Sequence, residues 1–255
     1  NGNAIRIDEN VNYANIHDCT FIDSGKKGNA IFYASNGDQK ACTIQNCVFL
    51  STKNENMGGI SAQTNAPITI DHCQFVQDTS SNNDDSNSAL LEEPNDDFSF
   101  GGLNPDSVSS IKVTQPSSNT YQVTITNCVF DGFKNGDLAC FNFSVYTTSF
   151  TFNEIEIKNA IGTNYRSYLG VFRYYQTSLE IQNIKFINNV GRSLFGGGVG
   201  LLFCEVNDLI FTRCHFEKNQ ALQDKTHSRP KSSNEPGLLQ WRWRCNTTWL
   251  LMSIK

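Results

Sequence analysis

Charge, methionine, proline and tryptophan are all scarce in this 255-residue chain: 18% of residues are charged, with 2 Met, 6 Pro and 3 Trp. A charged fraction below the usual quarter, with a net charge of -5, removes the broad basic face that a nucleic-acid binder needs. No apolar run reaches the roughly 18 residues of a membrane span, since the best stretch, residues 194–203, is broken by Gly196, Gly197, Gly198 and Gly200. The chain begins at Asn1, so the lack of a leader says nothing about destination. Leucine is also in short supply, because Phe (18) outnumbers it. A Leu-poor chain rich in Phe, Asn and Thr speaks against helical bundles and coiled coils and for strands, whose pleated surface suits aromatic and β-branched side chains.

What the chain does have is a repeat. Ile16-His17-Asp18-Cys19-Thr20-Phe21 recurs as Ile44-Gln45-Asn46-Cys47-Val48-Phe49, Ile70-Asp71-His72-Cys73-Gln74-Phe75 and Ile125-Thr126-Asn127-Cys128-Val129-Phe130. Looser copies start at Phe152, Ile181 and Phe211. Successive copies are 28, 26, 55, 27, 29 and 30 residues apart, and the double spacing marks a degenerate unit or an insertion near Phe98-Ser99-Phe100. Residues two apart share a strand face, so positions four and six point together while position one is out of phase. A corner between them restores the phase. Asp18, Asn46, Asn127 and Asn183 at position three supply residue types that tolerate the left-handed conformation a one-residue corner requires.

The expected fold is therefore all-β: a right-handed parallel β-helix of about seven or eight coils, ~28 residues and about three short strands per coil. Phe21, Phe49, Phe75, Phe130, Phe186 and Phe216 are expected to stack as one internal ladder. The leucine-rich repeat shares the period but needs a Leu lattice, and an antiparallel sandwich needs turn signals every 8 to 12 residues. The body spans 1–221. It carries an insertion at 77–122 with eight acids against one base, for which a solvated loop is the plain reading and Ca²⁺ the other. Residues 222–255 hold every Trp and six bases against two acids, and are read as a cap for the open end or as sequence foreign to the coil.

Phe186-Ile187-Asn188-Asn189 and Phe216-Glu217-Lys218-Asn219 match a Phe-x-x-Asn signature, and Gly28-Asn29-Ala30-Ile31, Gly58-Gly59-Ile60 and Gly197-Gly198-Val199 echo a Gly-Gly-Ala-Ile element. In these features the chain resembles the polymorphic outer-membrane-protein-like surface proteins and, more broadly, the pectate-lyase-like β-helices. The resemblance implies a non-catalytic extracellular or cell-surface protein for adhesion or ligand recognition. Its alternative is a polysaccharide lyase or glycoside hydrolase acting on acidic polysaccharide. Hydrolases of that fold resemble one another in Asn-Thr-Asp, Gly-His-Gly and Arg-Ile-Lys elements, none of which occurs here.

No residue stands out as catalytic or metal-ligating, and no cofactor is expected. His17, His72 and His215 fall at different motif positions, while Asp84-Asp85 and Asp96-Asp97 lie in the Ser/Asn-rich insertion. There is no Cys-x-x-Cys pair, Gly-x-Ser-x-Gly or P-loop. Cys19, Cys47, Cys73, Cys128 and Cys214 share one motif position and are read as small core residues, with cross-rung disulfides requiring local distortion at a ~4.8 Å spacing. The densest aromatic and cationic cluster, Tyr165, Arg166, Tyr168, Arg173 and Tyr174, is the candidate site for a carbohydrate or a partner protein surface. Asn142 and Asn246 head glycosylation triplets.

Overall fold

A computed structural model of the chain describes residues 3–24, 29–35, 40–52, 58–77, 110–115, 122–132, 134–135, 140–146, 149–162, 168–174, 178–193, 200–204 and 208–223. They form a parallel β-solenoid. The described elements are all strands, gathered into three seven-stranded sheets and one four-stranded sheet. The first sheet runs from Ile5–Ile7 to Gly200–Cys204, the second from Tyr13–His17 to Asp208–Thr212 and the third from Thr20–Ile22 to His215–Glu217. Each strand pairs in parallel with the strand one repeat away. The repeat is thus the path of the chain once around the core.

The motif is strand, corner, strand, and the corner falls at the third position in all seven copies. Asp18, Asn46, His72, Asn127, Glu154, Asn183 and Arg213 have φ between 51° and 56°. Three of these are not Asn or Asp, so local preference alone does not set the bend. Registered hydrogen bonds hold it, as when Asn46 N donates to Asp71 O and Gln74 N to Cys47 O. Past the corner, first, fourth and sixth side chains share one interior, where Ile44, Cys47, Ile70, Cys73, Phe75, Ile125, Cys128 and Phe130 are buried.

The uniform stack of seven or eight coils expected from the spacing needs correction. About four turns carry strands on all four sides, closed by Lys134–Asn135, Ile161–Gly162, Val190–Ser193 and Gln220–Gln223, whereas among the described residues the earlier passes have strands on three sides. Where the fourth sheet is described, the chain reaches it through a second corner two residues after the motif. Gly132, Asn159, Asn188 and Lys218 take positive φ there and turn the chain onto the fourth sheet. Ser51 and Gln77 at the equivalent sites do not, whereas Asp23 on the first pass shares the conformation without a described strand on the fourth sheet after it. Gly132 is also required for space, since a Cβ on it would lie 2.3 Å from Gln77 O.

The 55-residue spacing is an insertion. Ile68–Asp71 pairs directly with Val123–Thr126 and Gln74–Gln77 with Val129–Asp131, so no strand intervenes. Residues 78–109, including Phe98 and Phe100, lie outside the described residues, as does 224–255.

The Phe ladder is present but interrupted. Phe21, Phe49, Phe75 and Phe130 stack with ring centroids 4.7–5.0 Å apart and planes within 9°, and Phe186 stacks on Phe216 at 5.1 Å. Between them sits Ile157. That pass instead buries Phe141, Phe143 and Phe152 from the first two sheets, with Phe141 meeting Phe130 edge-on at 5.9 Å. Ring volume lost on one wall is supplied from the other two.

Candidate functional site

The outward edge of the second sheet, where it meets the first corner, carries a continuous column of polar side chains. His17, Gln45, Asp71, Thr126, Asn153, Gln182 and Thr212 occupy one register column, each followed by its corner residue. Strand alternation puts these side chains outside because Ile16, Ile44, Ile70 and Ile125 one residue earlier point in. Hydrogen bonds then run from rung to rung. Thr126 Oγ1 and Asn127 Nδ2 donate to Asp71 Oδ1 at 2.6 and 2.8 Å. Asn183 Nδ2 donates to Asn153 Oδ1 at 2.7 Å, and Arg213 donates to Asn183 Oδ1 and Gln182 Oε1 at 2.8 and 3.0 Å.

These contacts fix charge states. Burial pushes the Asp71 carboxyl up, but donors from Asn127, Thr126 and His72 outweigh it and hold it below the ordinary carboxylate range. The adjacent His17 does the same for the exposed Asp18. Both therefore stay ionised, the opposite of what a general acid at neutral pH requires. Asp131, Glu156, Lys158 and Lys185 meet on the third sheet, with Lys158 Nζ 3.0 Å from Glu156 and 3.7 Å from Asp131. The Glu156 contact raises Lys158, keeping it a cation rather than a base.

Cys42 and Cys73 are equally unsuited to attack. Cys19, Cys42, Cys47, Cys73, Cys128, Cys140 and Cys214 are free thiols. Cys47 Sγ donates to Gln45 O at 3.1 Å, and Cys128 Sγ to Thr126 O at 3.2 Å. Hydrogen bonding to Cys128 together with burial pushes Cys73 up to about 12, and burial alone does so for Cys42. Among the described residues no group of three or more His, Cys, Asp or Glu could hold a metal ion.

Of the aromatic and cationic cluster, Tyr165 and Arg166 lie outside the described residues, while Tyr168, Arg173 and Tyr174 belong to the strand Tyr168–Tyr174 of the first sheet. Its register sets Arg173 beside Ser144 and Tyr174 beside Val145, so these two fall in alternate columns. Asn142 is half-buried mid-strand in Phe141–Val145, and Asn246 lies outside the described residues.

Sequence reasoning missed the corner ladder as a surface. Its signal was there in Asp18, Asn46, Asn127 and Asn183, read as bends alone. The Phe-x-x-Asn asparagines also have a structural role. Asn189 is fully buried, accepts from Ala160 N at 2.9 Å and donates to Ile157 O at 2.9 Å, clipping one turn to the previous one. Asn219 repeats the second contact, donating to Phe186 O at 2.8 Å.

Fold and surface together define a parallel β-solenoid with laddered polar corners. No family model matches the chain, and neither a curated protein nor a solved structure matches it. No helix among the described residues is long and apolar enough to cross a membrane.

Proposed function

We propose that the protein is a non-catalytic recognition rod of the extracellular space or cell surface, which displays hydrogen-bonding groups at rung spacing to a carbohydrate or a partner protein. The observation that supports this is the corner ladder: its carboxylates are ionised and its amides oriented by neighbours, which pre-organises contacts without poising a proton for transfer. We take the solenoid as right-handed, because parallel strand connections in one sheet are right-handed in about 98% of cases. The likeness to outer-membrane-protein-like surface proteins adds to this reading through Phe-x-x-Asn. Tyr168, Arg173 and Tyr174, with Tyr165 and Arg166, remain the proposed contact cluster.

A polysaccharide lyase or hydrolase is the second reading, favoured by the meeting of Asp131, Glu156, Lys158 and Lys185. Glycan and cell-surface binding screens on wild type, Arg173→Ala and Asp71→Asn separate the two. Saturable binding weakened several-fold by either variant supports recognition. Binding indifferent to both would remove these surfaces from the account.

A further inference from the structure

The two ends of the described stack are complementary. At one end lie the outermost strands Ile5–Ile7, Tyr13–His17 and Thr20–Ile22, and at the other Gly200–Cys204, Asp208–Thr212 and His215–Glu217. An outermost parallel strand offers a row of backbone donors and acceptors to whatever pairs with it. The interior columns also end there. Cys19 and Cys214 are only partly buried where Cys47, Cys73 and Cys128 are sealed, and Phe216 is likewise more open than Phe130.

The columns match in order across these ends. Extending the register by one rung brings Ala14 of a second copy next to Leu209, Ile16 next to Phe211, Cys19 next to Cys214 and Phe21 next to Phe216. The charges match as well. In the first-corner column the opening residue is Asp18 and the closing one Arg213; in the second they are Asp23 and Lys218. Both acids stand at one end and both bases at the other. Arg213 reaches one rung back to Asn183 and Gln182, and Lys218 Nζ lies 2.9 Å from Glu217, so both side chains turn outward on association; a guanidinium in this column has the reach of one rung.

We infer that copies of this protein associate head to tail, the last described rung of one copy pairing with the first rung of the next to continue the three long sheets. Such a contact is heterologous and does not close, so it builds open chains, not symmetric dimers. Among the described residues the fourth sheet has no strand on the first passes, so the continuation is drawn for the three long sheets alone.

The full-length chain is the material for the test, with sedimentation velocity across a concentration series and electron microscopy of the products. Wild type should form rods lengthening with concentration, and added salt should shorten them. Asp18→Lys with Asp23→Lys should weaken association about tenfold, as should Arg213→Glu with Lys218→Glu, through like-charge ends. Lys and Arg already occupy both corner conformations in the last rung, and circular dichroism melts would check that each variant is folded. Mixing the two double variants should restore rods, since each end then meets its opposite. A wild type that stays monomeric at all concentrations overturns the inference. So does association that the swaps and their mixture leave unchanged.

Discussion

Asn219 Oδ1 accepts two hydrogen bonds from Asn189, one from the backbone N at 3.1 Å and one from Nδ2 at 2.9 Å. Asn189 in turn accepts from Ala160 N, so two asparagines bind three successive turns at the second corner. Replacing Asn189 by Ala leaves Ala160 N and Ile157 O buried without these partners, and a stranded buried group costs about 1–3 kcal/mol. We expect Asn189→Ala to lose about 2–4 kcal/mol in chemical denaturation. Asn142→Ala, at a half-buried outward position, should lose under about 1 kcal/mol. Equal losses would show that the clip carries no special weight.

The ring column makes a less obvious prediction. Phe130→Ala, at a fully buried ring between Phe75 and Phe141, should cost about 3–5 kcal/mol. Ile157→Phe completes the column on paper, yet the same pass already buries Phe141, Phe143 and Phe152. We expect it to destabilise by about 1–3 kcal/mol through overpacking. A more stable Ile157→Phe, read from the same denaturation curves, would mean the interior has room there.

Acid should loosen the ladder. Asp71 and Asp18 are both held below their ordinary value of 3.8 in the folded chain. A depressed carboxylate contributes stability that is fully present above the unfolded value, near pH 4, and is lost as pH falls through the lower folded value. The melting temperature should thus hold from pH 7 to about pH 5 and drop below pH 4. Asp71→Asn should cost about 1 kcal/mol at pH 7 after allowance for solvent screening, and that deficit should shrink at pH 3. A deficit independent of pH would separate Asp71 from the acid transition.

Thiol chemistry should report the same core. With Cys73 and Cys42 pushed up to about 12 and both buried, hardly any thiolate forms at pH 8. Native labelling should be slow for Cys42, Cys47, Cys73, Cys128 and Cys140, and denaturant should release at least the seven thiols described as free. Fewer than seven in denaturant without reductant would mean that bridges cross the rungs.

The sequence made the repeat legible because Ile, Cys and Phe recur at fixed offsets, and solenoid interiors are columns of such offsets. It made four of the seven corners legible through Asp18, Asn46, Asn127 and Asn183. His72, Glu154 and Arg213 take the same φ only because flanking columns and rung hydrogen bonds impose it, which no local pattern reveals. The fourth sheet escaped notice for a related reason: its corners at Gly132, Asn159, Asn188 and Lys218 share a conformation and no residue type. Ile157 and its compensating Phe141, Phe143 and Phe152 show volume conserved across a turn, not along a column. The candidate surface was legible as residue types but not as a surface, since Asp71 meets Thr126 and Asn127 across sequence separations of 55 and 56.

A reducing-end release assay on acidic polysaccharides, run beside binding to the same polymers, separates recognition from chemistry. We expect saturable binding to a carbohydrate or a partner surface, with release no faster than in a buffer blank. Turnover at an enzyme's rate, of order 1 per second or more, abolished by Glu156→Gln, would contradict it and give the function to the acidic and lysine cluster of the third sheet.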